Sequence, residues 1–145
     1  MTKLYQLLLQ SSGPIHFVGI GGIGMSGLAR ILTKMGVCVT GSDVQDNKIL
    51  EGLRDLDIPI SIGHSKGHLE GCSVVVISSA IPESNPEYLE AIRRGIPVLH
   101  RADVLAELMR VRTGIAISGT HGKTTTSAMI VHVLLTSGIE ATFVV

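Results

Sequence analysis

Two stretches of this chain pair glycine with residues that can hold phosphate. The first to consider is Gly119-Thr120-His121-Gly122-Lys123-Thr124-Thr125-Thr126. Glycines leave backbone N–H groups free to cradle phosphate oxygens. Lys123 is placed to reach the outer phosphates of a nucleoside triphosphate as a point charge. The Thr124 hydroxyl is of the type that ligates Mg²⁺, and Thr125 follows it in the first turn of a helix. The run differs from the common G-x-x-x-x-G-K-[ST] pattern. The residue five before Gly122 is Ile117 and the first glycine falls at 119, so the loop is shorter. The expectation is an ATP and Mg²⁺ site, with Lys123 as the catalytic cation, Gly119 to Thr125 around the phosphates and Thr124 on the metal. His121 either touches a phosphate or shapes the loop. A threonine-rich helix start that binds nothing is the bland alternative, and it leaves the lysine and both glycines unexplained.

The other stretch, Gly19-Ile20-Gly21-Gly22-Ile23-Gly24, reads G-x-G-x-x-G between an apolar run and a helical one. In such a turn Gly19 permits the tight bend, Gly21 lets the backbone approach a pyrophosphate, and Gly24 allows close helix packing. The helix start offers its amides and the positive end of its dipole to an anion. Asp43 follows Gly24 by 19 residues, where an acid can accept from ribose hydroxyls. Alone, this loop reads as a dinucleotide site for NAD. The alternative is a glycine-rich turn with no ligand.

Several elements must position these loops. Expected strands are 15–20, 37–40, 60–62, 74–77, 96–99 and 115–117, with a strand-like run at 142–145. Expected helices are 4–9, 25–35, 49–56, 86–94, 102–110 and 124–137. Pro86 opens one helix in the first position, and Gly36 and Gly138 close two others. Strand and helix alternating this often predict an α/β fold, with a Rossmann-like parallel sheet and flanking helices. The P-loop would add the first strand, loop and helix of an ATP-binding domain. The basic turn Arg110-Val111-Arg112 marks the expected boundary, giving 1–111 and a truncated 112–145. In a parallel sheet the loops after the strands gather at one edge, where ligands of open α/β sheets bind. That edge would collect Ser42, Asp43, His64, Ser78, Ser79 and Arg101. Each also has an ordinary reading as a strand-end hydroxyl, a loop histidine or a solvated charge. His64 and His68 have the spacing of a ligand pair, but no third ligand is apparent and a metal there is not expected.

Composition narrows the partners. Lys plus Arg and Asp plus Glu are 12 each, giving zero net charge, and aromatics are 3% with no Trp. A neutral, aromatic-poor chain lacks both the basic surface and the stacking platforms of nucleic-acid binders. No stretch approaches the roughly 20 apolar residues of a membrane span, so no membrane association is expected. Cys38 and Cys72 form no CxxC pair; both read as small buried hydrophobes in a reduced, cytoplasmic protein.

Two phosphate loops in one chain imply two nucleotides, which moves the reading from redox chemistry toward ATP-driven chemistry on a nucleotide-linked substrate. At this point the residues become recognisable. Ile15-His16-Phe17-Val18-Gly19 through Met25, Gly41-Ser42-Asp43, Ser78-Ser79-Ala80-Ile81 and Asn85-Pro86-Glu87 resemble the start of a Mur ligase. The runs from Arg101 and Leu105 to Arg110, Gly114 to Ile117, and Gly119 to Thr126 are similar to the family's alanine-adding branch. The resemblance covers nearly the whole chain from Ile15 on. It implies that the first loop binds the UDP part of UDP-N-acetylmuramate in place of NAD. Gly21, Gly22, Ile23, Gly24 and Met25 would face the diphosphate, and Ser42, Asp43, His64, Ser78, Ser79 and Arg101 would surround the nucleotide. It also implies a ligase of peptidoglycan precursor synthesis. ATP would activate the muramoyl carboxylate as an acyl phosphate, and the amine of L-alanine would displace phosphate. The family's enzymes carry further domains, so the expectation is an N-terminal fragment that binds the UDP part but is inactive alone. Two alternatives stay open. One is the related ligase that recycles a tripeptide onto the same nucleotide sugar, and the other is an NAD-binding sensor module without chemistry.

Overall fold

Strand β1 (Ile15–Val18) is buried along its whole length and pairs in parallel on both sides. The computed structural model describes residues 6–8, 11–139 and 141–143. Within them, β2 (Val39–Asp43), β3 (Ile60–Ile62), β4 (Val74–Ile77) and β5 (Val98–His100) complete a five-stranded parallel sheet in the order β3-β2-β1-β4-β5. The helices are α1 (Ile23–Lys34), α2 (Lys48–Arg54), α3 (Pro86–Arg94), α4 (Arg101–Arg110) and α5 (Lys123–Thr136), with a 3₁₀ turn at Lys66–Leu69. Residues 6–8 are helical; the rest of the expected 4–9 helix lies outside the described residues.

Alternation along the strands decides what each sheet face holds. Ile15 and Phe17 join Val39, Val74 and Val76 on one face, packed by Met25, Leu28, Leu32, Leu50, Leu53, Val104 and Leu108 from α1, α2 and α4. Val18 and Val75 point the other way, toward Leu69 and Ala91 of the 3₁₀ turn and α3. That second apolar cluster is small because polar side chains share its face. His16 of β1 is 1% exposed and Ser42 of β2 fully buried.

Two strands start later than the sequence suggests, for the same reason. Val37 and Ile96 donate their N–H groups back to Leu32 and Ala91, so they close the preceding helices. The ladders then continue past the expected ends, to Ser42, Asp43 and His100. The expected strand at 115–117 is absent. Among the described residues no neighbouring strand offers a ladder there, and Ile115 is 57% exposed. Thr142 and Phe143 are also outside any regular element, and Val144 and Val145 lie outside the described residues. Helix α5 forms as expected but buries none of its residues. Cys38 is exposed and Cys72 half-buried, both free, so the first of them is not the core residue that its apolar flanks suggest.

Where β2 passes the glycine loop, only glycine fits. A Cβ on Gly41 would lie 2.5 Å from the Ile20 side chain. Gly41→Val is expected to cost about 1–3 kcal/mol through overpacking, read as a lower urea midpoint. An unchanged midpoint would contradict the close approach.

Candidate functional site

The glycine loop closes on β2. Gly19 takes a left-handed backbone (φ 75°), which only glycine adopts without strain. The turn lets Gly19 and Ile20 donate to the Ser42 carbonyl at 2.8 and 3.0 Å. Gly21 then donates to Asp43 Oδ2 at 2.8 Å. A Cβ on Gly21 would lie 2.8 Å from both Asp43 Oδ2 and Asn47 Nδ2, so glycine here admits the protein's own polar groups. Asp43 was expected to wait for a ribose; in this structure one of its oxygens already holds the loop. Asn47 caps α2 through Oδ1 and turns its amide nitrogen toward the same spot. No sequence signal singled it out, since its capping role hides it.

Helix α1 opens at this loop. Its N-cap is Gly22, which has no side chain to satisfy the first turn. The amides of Ile23, Gly24 and Met25 have no acceptor within the helix, the arrangement that receives an anion. The Ile23 side chain is exposed, whereas Met25 is 2% exposed and packs in the core, so only its backbone can face a ligand. Arg101, the first residue of α4, brings its guanidinium over the helix start. A Cβ on Gly24 would sit 2.6 Å from Arg101 Nη1. Gly24 therefore makes room for an arginine, where close helix-to-strand packing was the expectation. Among the described residues no carboxylate pairs with Arg101, so a cation stands beside three free amides. Ser78 and Ser79 follow β4; Ser78 Oγ accepts weakly from the Ala80 amide at 3.4 Å, and Ser79 is exposed.

Behind this edge lies a buried carboxylate that the sequence did not single out. Glu87, in the first turn of α3, is completely buried. Ser42 Oγ donates to its Oε2 at 2.6 Å and His64 Nδ1 sits 2.9 Å from the same oxygen. His68 Nδ1 lies 2.6 Å from Oε1, and the Ser65 amide reaches Oε1 at 3.4 Å. His16 Nε2 is 3.6 Å from Oε1, too far for a formed hydrogen bond but close enough for attraction; its Nδ1 pairs with Thr40 Oγ1. Burial pushes the Glu87 carboxyl up, yet His16, Ser42 and His68 outweigh it and hold it at about 2. Ser42, expected at the ligand, is thus committed inward by both its hydroxyl and its carbonyl. His64 and His68 meet on Glu87, and no metal-binding cluster exists among the described residues. A histidine inside an otherwise apolar strand was the available signal, because a buried imidazole needs a partner.

The second loop is open. Gly122 takes φ 78° as the N-cap of α5 and offers no side-chain cap. Lys123 Nζ folds back on the Gly119 carbonyl at 2.7 Å and the Thr120 carbonyl at 3.4 Å. The helix start thus has no side-chain cap and carries Lys123, Thr124 and Thr125 in its first turn, residue types that fit a polyphosphate. His121 is exposed. A recess lined by Ser11–Pro14 and Gly36–Cys38 lies at the opposite ends of the strands from the glycine loop at 19–24.

An open five-stranded parallel sheet whose first crossover starts at a glycine loop, followed by a second glycine loop at a helix start, defines an α/β protein of Rossmann-like order. Residues 14–113 match the catalytic domain of the Mur ligase family. The chain belongs to that family. It is 52% identical over 132 residues to UDP-N-acetylmuramate–L-alanine ligase of Rhodospirillum rubrum, covering 91% of this chain and 27% of that protein. Its counterpart from Geotalea daltonii is 54% identical over 131 residues, 90% of this chain and 29% of that protein. Among solved structures, the UDP-N-acetylmuramate–alanine ligase of Thermotoga maritima superposes with a TM-score of 0.80 at 37% identity, over 85% of this chain and 29% of that one. A murein peptide ligase from Psychrobacter arcticus gives 0.83 at 30% identity, over 88% and 27%. The chain therefore spans under a third of the length of these relatives. No helix among the described residues is long and apolar enough to cross a membrane.

The depressed Glu87 carboxyl has a pH consequence. Its folded value lies below its ordinary 4.5, so its ionised form stabilises the fold above about 4.5, and that contribution fades as pH falls toward about 2. The stability difference between the natural chain and Glu87→Gln, from urea unfolding, is expected to be largest near neutral pH and to shrink across that window. A difference that stays constant into strong acid would contradict the assignment.

Proposed function

We propose that this chain is the nucleotide-sugar-binding part of the ATP-dependent ligase that joins L-alanine to UDP-N-acetylmuramate, a cytoplasmic step of peptidoglycan precursor synthesis. The observation that carries this reading is the identity above 50% to alanine ligases along nine-tenths of the chain. Superposition on the peptide-recycling ligases is equally close, so shape alone does not separate the two, but their identity to this chain is lower. NAD binding is disfavoured, because it gives the loop at 119–125 nothing to do.

In this reading the diphosphate of UDP lies on the amides of Ile23, Gly24 and Met25, since the Gly22 amide is held by the Gly19 carbonyl at 3.2 Å, and Arg101 neutralises it from the side. Asp43 and Asn47 border the ribose, and His64, Ser78 and Ser79 lie along the rim of the same crevice. From about residue 112 a separate ATP-binding unit begins. Its Gly119–Thr125 loop would hold the phosphates, with Thr124 on Mg²⁺. ATP with Mg²⁺ supplies the phosphoryl group that activates the muramoyl carboxylate for attack by the alanine amine. Lys123 would balance the negative charge on that group as it transfers. Alone, the chain binds the nucleotide and does not ligate.

Isothermal titration of the 145-residue chain is expected to show UDP binding and no tight NAD binding; the reverse would overturn the proposal. The two loops should also separate. Gly21→Val is expected to abolish UDP binding, and Arg101→Ala to weaken UDP about tenfold, as for loss of one charged hydrogen bond, without affecting uridine. Lys123→Ala should leave UDP binding intact. Equal losses from the Gly21 and Lys123 changes would contradict two sites.

A further inference from the structure

We propose that Glu87 is a positioning residue for nucleotide recognition, fixing His64 so that its Nε2 meets the ligand as a hydrogen-bond acceptor. The inference rests on the UDP reading above and adds a residue that touches no ligand. An ionised carboxylate only accepts hydrogen bonds. With Nδ1 at 2.9 Å from Glu87 Oε2, and with the Ser42 hydroxyl 3.1 Å away but itself donating to that oxygen, His64 Nδ1 must carry a proton. In the neutral ring Nε2 is then a lone pair. No protein group among the described residues uses that lone pair. His64 follows Gly63, whose amide is bonded to the Asp43 carbonyl at 2.7 Å, so the ring stands beside the strand ends that carry the glycine loop. An acceptor there selects a ligand that donates. Uridine has two such donors, the imide N–H of uracil and the ribose hydroxyls.

Replacing one oxygen of Glu87 reverses this arrangement without emptying the site. Oε1 faces the Ser65 amide, a backbone donor that cannot turn round, as well as His68. A glutamine would keep its oxygen there and aim its NH₂ at Ser42 and His64. Both of those can become acceptors, Ser42 by rotating its hydroxyl and His64 by moving its proton to Nε2. The ring would then present a donor to the ligand's donor.

Nitrogen-15 NMR and calorimetry on the 145-residue chain test this together. In the natural chain the unprotonated nitrogen of His64 should be Nε2; in Glu87→Gln it should be Nδ1. Glu87→Gln should weaken UDP binding about tenfold, with Glu87→Asp recovering part of the loss. In a His64→Ala background the same Glu87→Gln change should cost nothing further, because its effect runs through the ring. Equal losses in both backgrounds, or a natural chain protonated on Nε2, would overturn the positioning role. Cytidine diphosphate and 2′,3′-dideoxy-UDP identify the donor: weaker CDP points to the imide, and weaker dideoxy-UDP to a hydroxyl. Equal binding of all three leaves Nε2 without a partner and overturns the proposal. Failure of UDP to bind the natural chain would instead overturn the nucleotide reading, and this role with it.

Discussion

Ser42 ties together the two halves of the sheet edge at the carboxyl ends of the strands. Its carbonyl receives the amides of Gly19 and Ile20, and its hydroxyl donates to Glu87. One residue of β2 therefore holds the glycine loop on one side and a buried charge on the other. The carboxylate is tolerated in the interior because its oxygens are met by a hydroxyl, two imidazoles and an amide, with a third imidazole close by. Removing one partner of such a group leaves a desolvated charge and costs about 3–5 kcal/mol. The helix that carries Glu87 helps. Asn85 accepts from the amides of Glu87 and Tyr88, so the carboxylate sits on a capped first turn, where the helix dipole favours a negative charge. The same network links elements far apart in sequence, namely β1 through His16, β2 through Ser42, the loop after β3 through His64, and α3.

The ligand side needs little charge. Three unsatisfied amides at the start of α1 and one arginine face the crevice, and the sequence as a whole is neutral. Backbone dipoles would let a chain with no net charge hold the phosphates of the proposed ligand. The glycines there make room for protein groups as much as for ligand. Gly21 clears space for Asp43 and Asn47, Gly24 for Arg101, and Gly41 for Ile20.

The sheet was legible because strand and helix alternate and because apolar runs such as Val74–Ile77 have few other readings. Both loops were legible because glycine spacing is a backbone requirement, visible without the fold. What stayed hidden depends on contacts between distant residues. Glu87 reads locally as a helix-opening acid, and only the sheet brings His16, Ser42, His64 and His68 to it. Asn47 reads as a cap and is one, yet its amide also faces the glycine loop. Conversely, Ile115–Ile117 has strand composition but no ladder partner among the described residues, and composition cannot supply one.

The central claim is that the edge built on Ser42 and Glu87 presents the α1 amides, Arg101 and His64 to one uridine diphosphate. A crystal structure of the 145-residue chain soaked with UDP tests it most directly. The diphosphate is expected on the amides of Ile23 to Met25 beside Arg101, with His64 Nε2 accepting from the uridine and Glu87 making no ligand contact. UDP seated at the Gly119–Thr125 loop, or a His64 ring turned away from Glu87 in the complex, would contradict it.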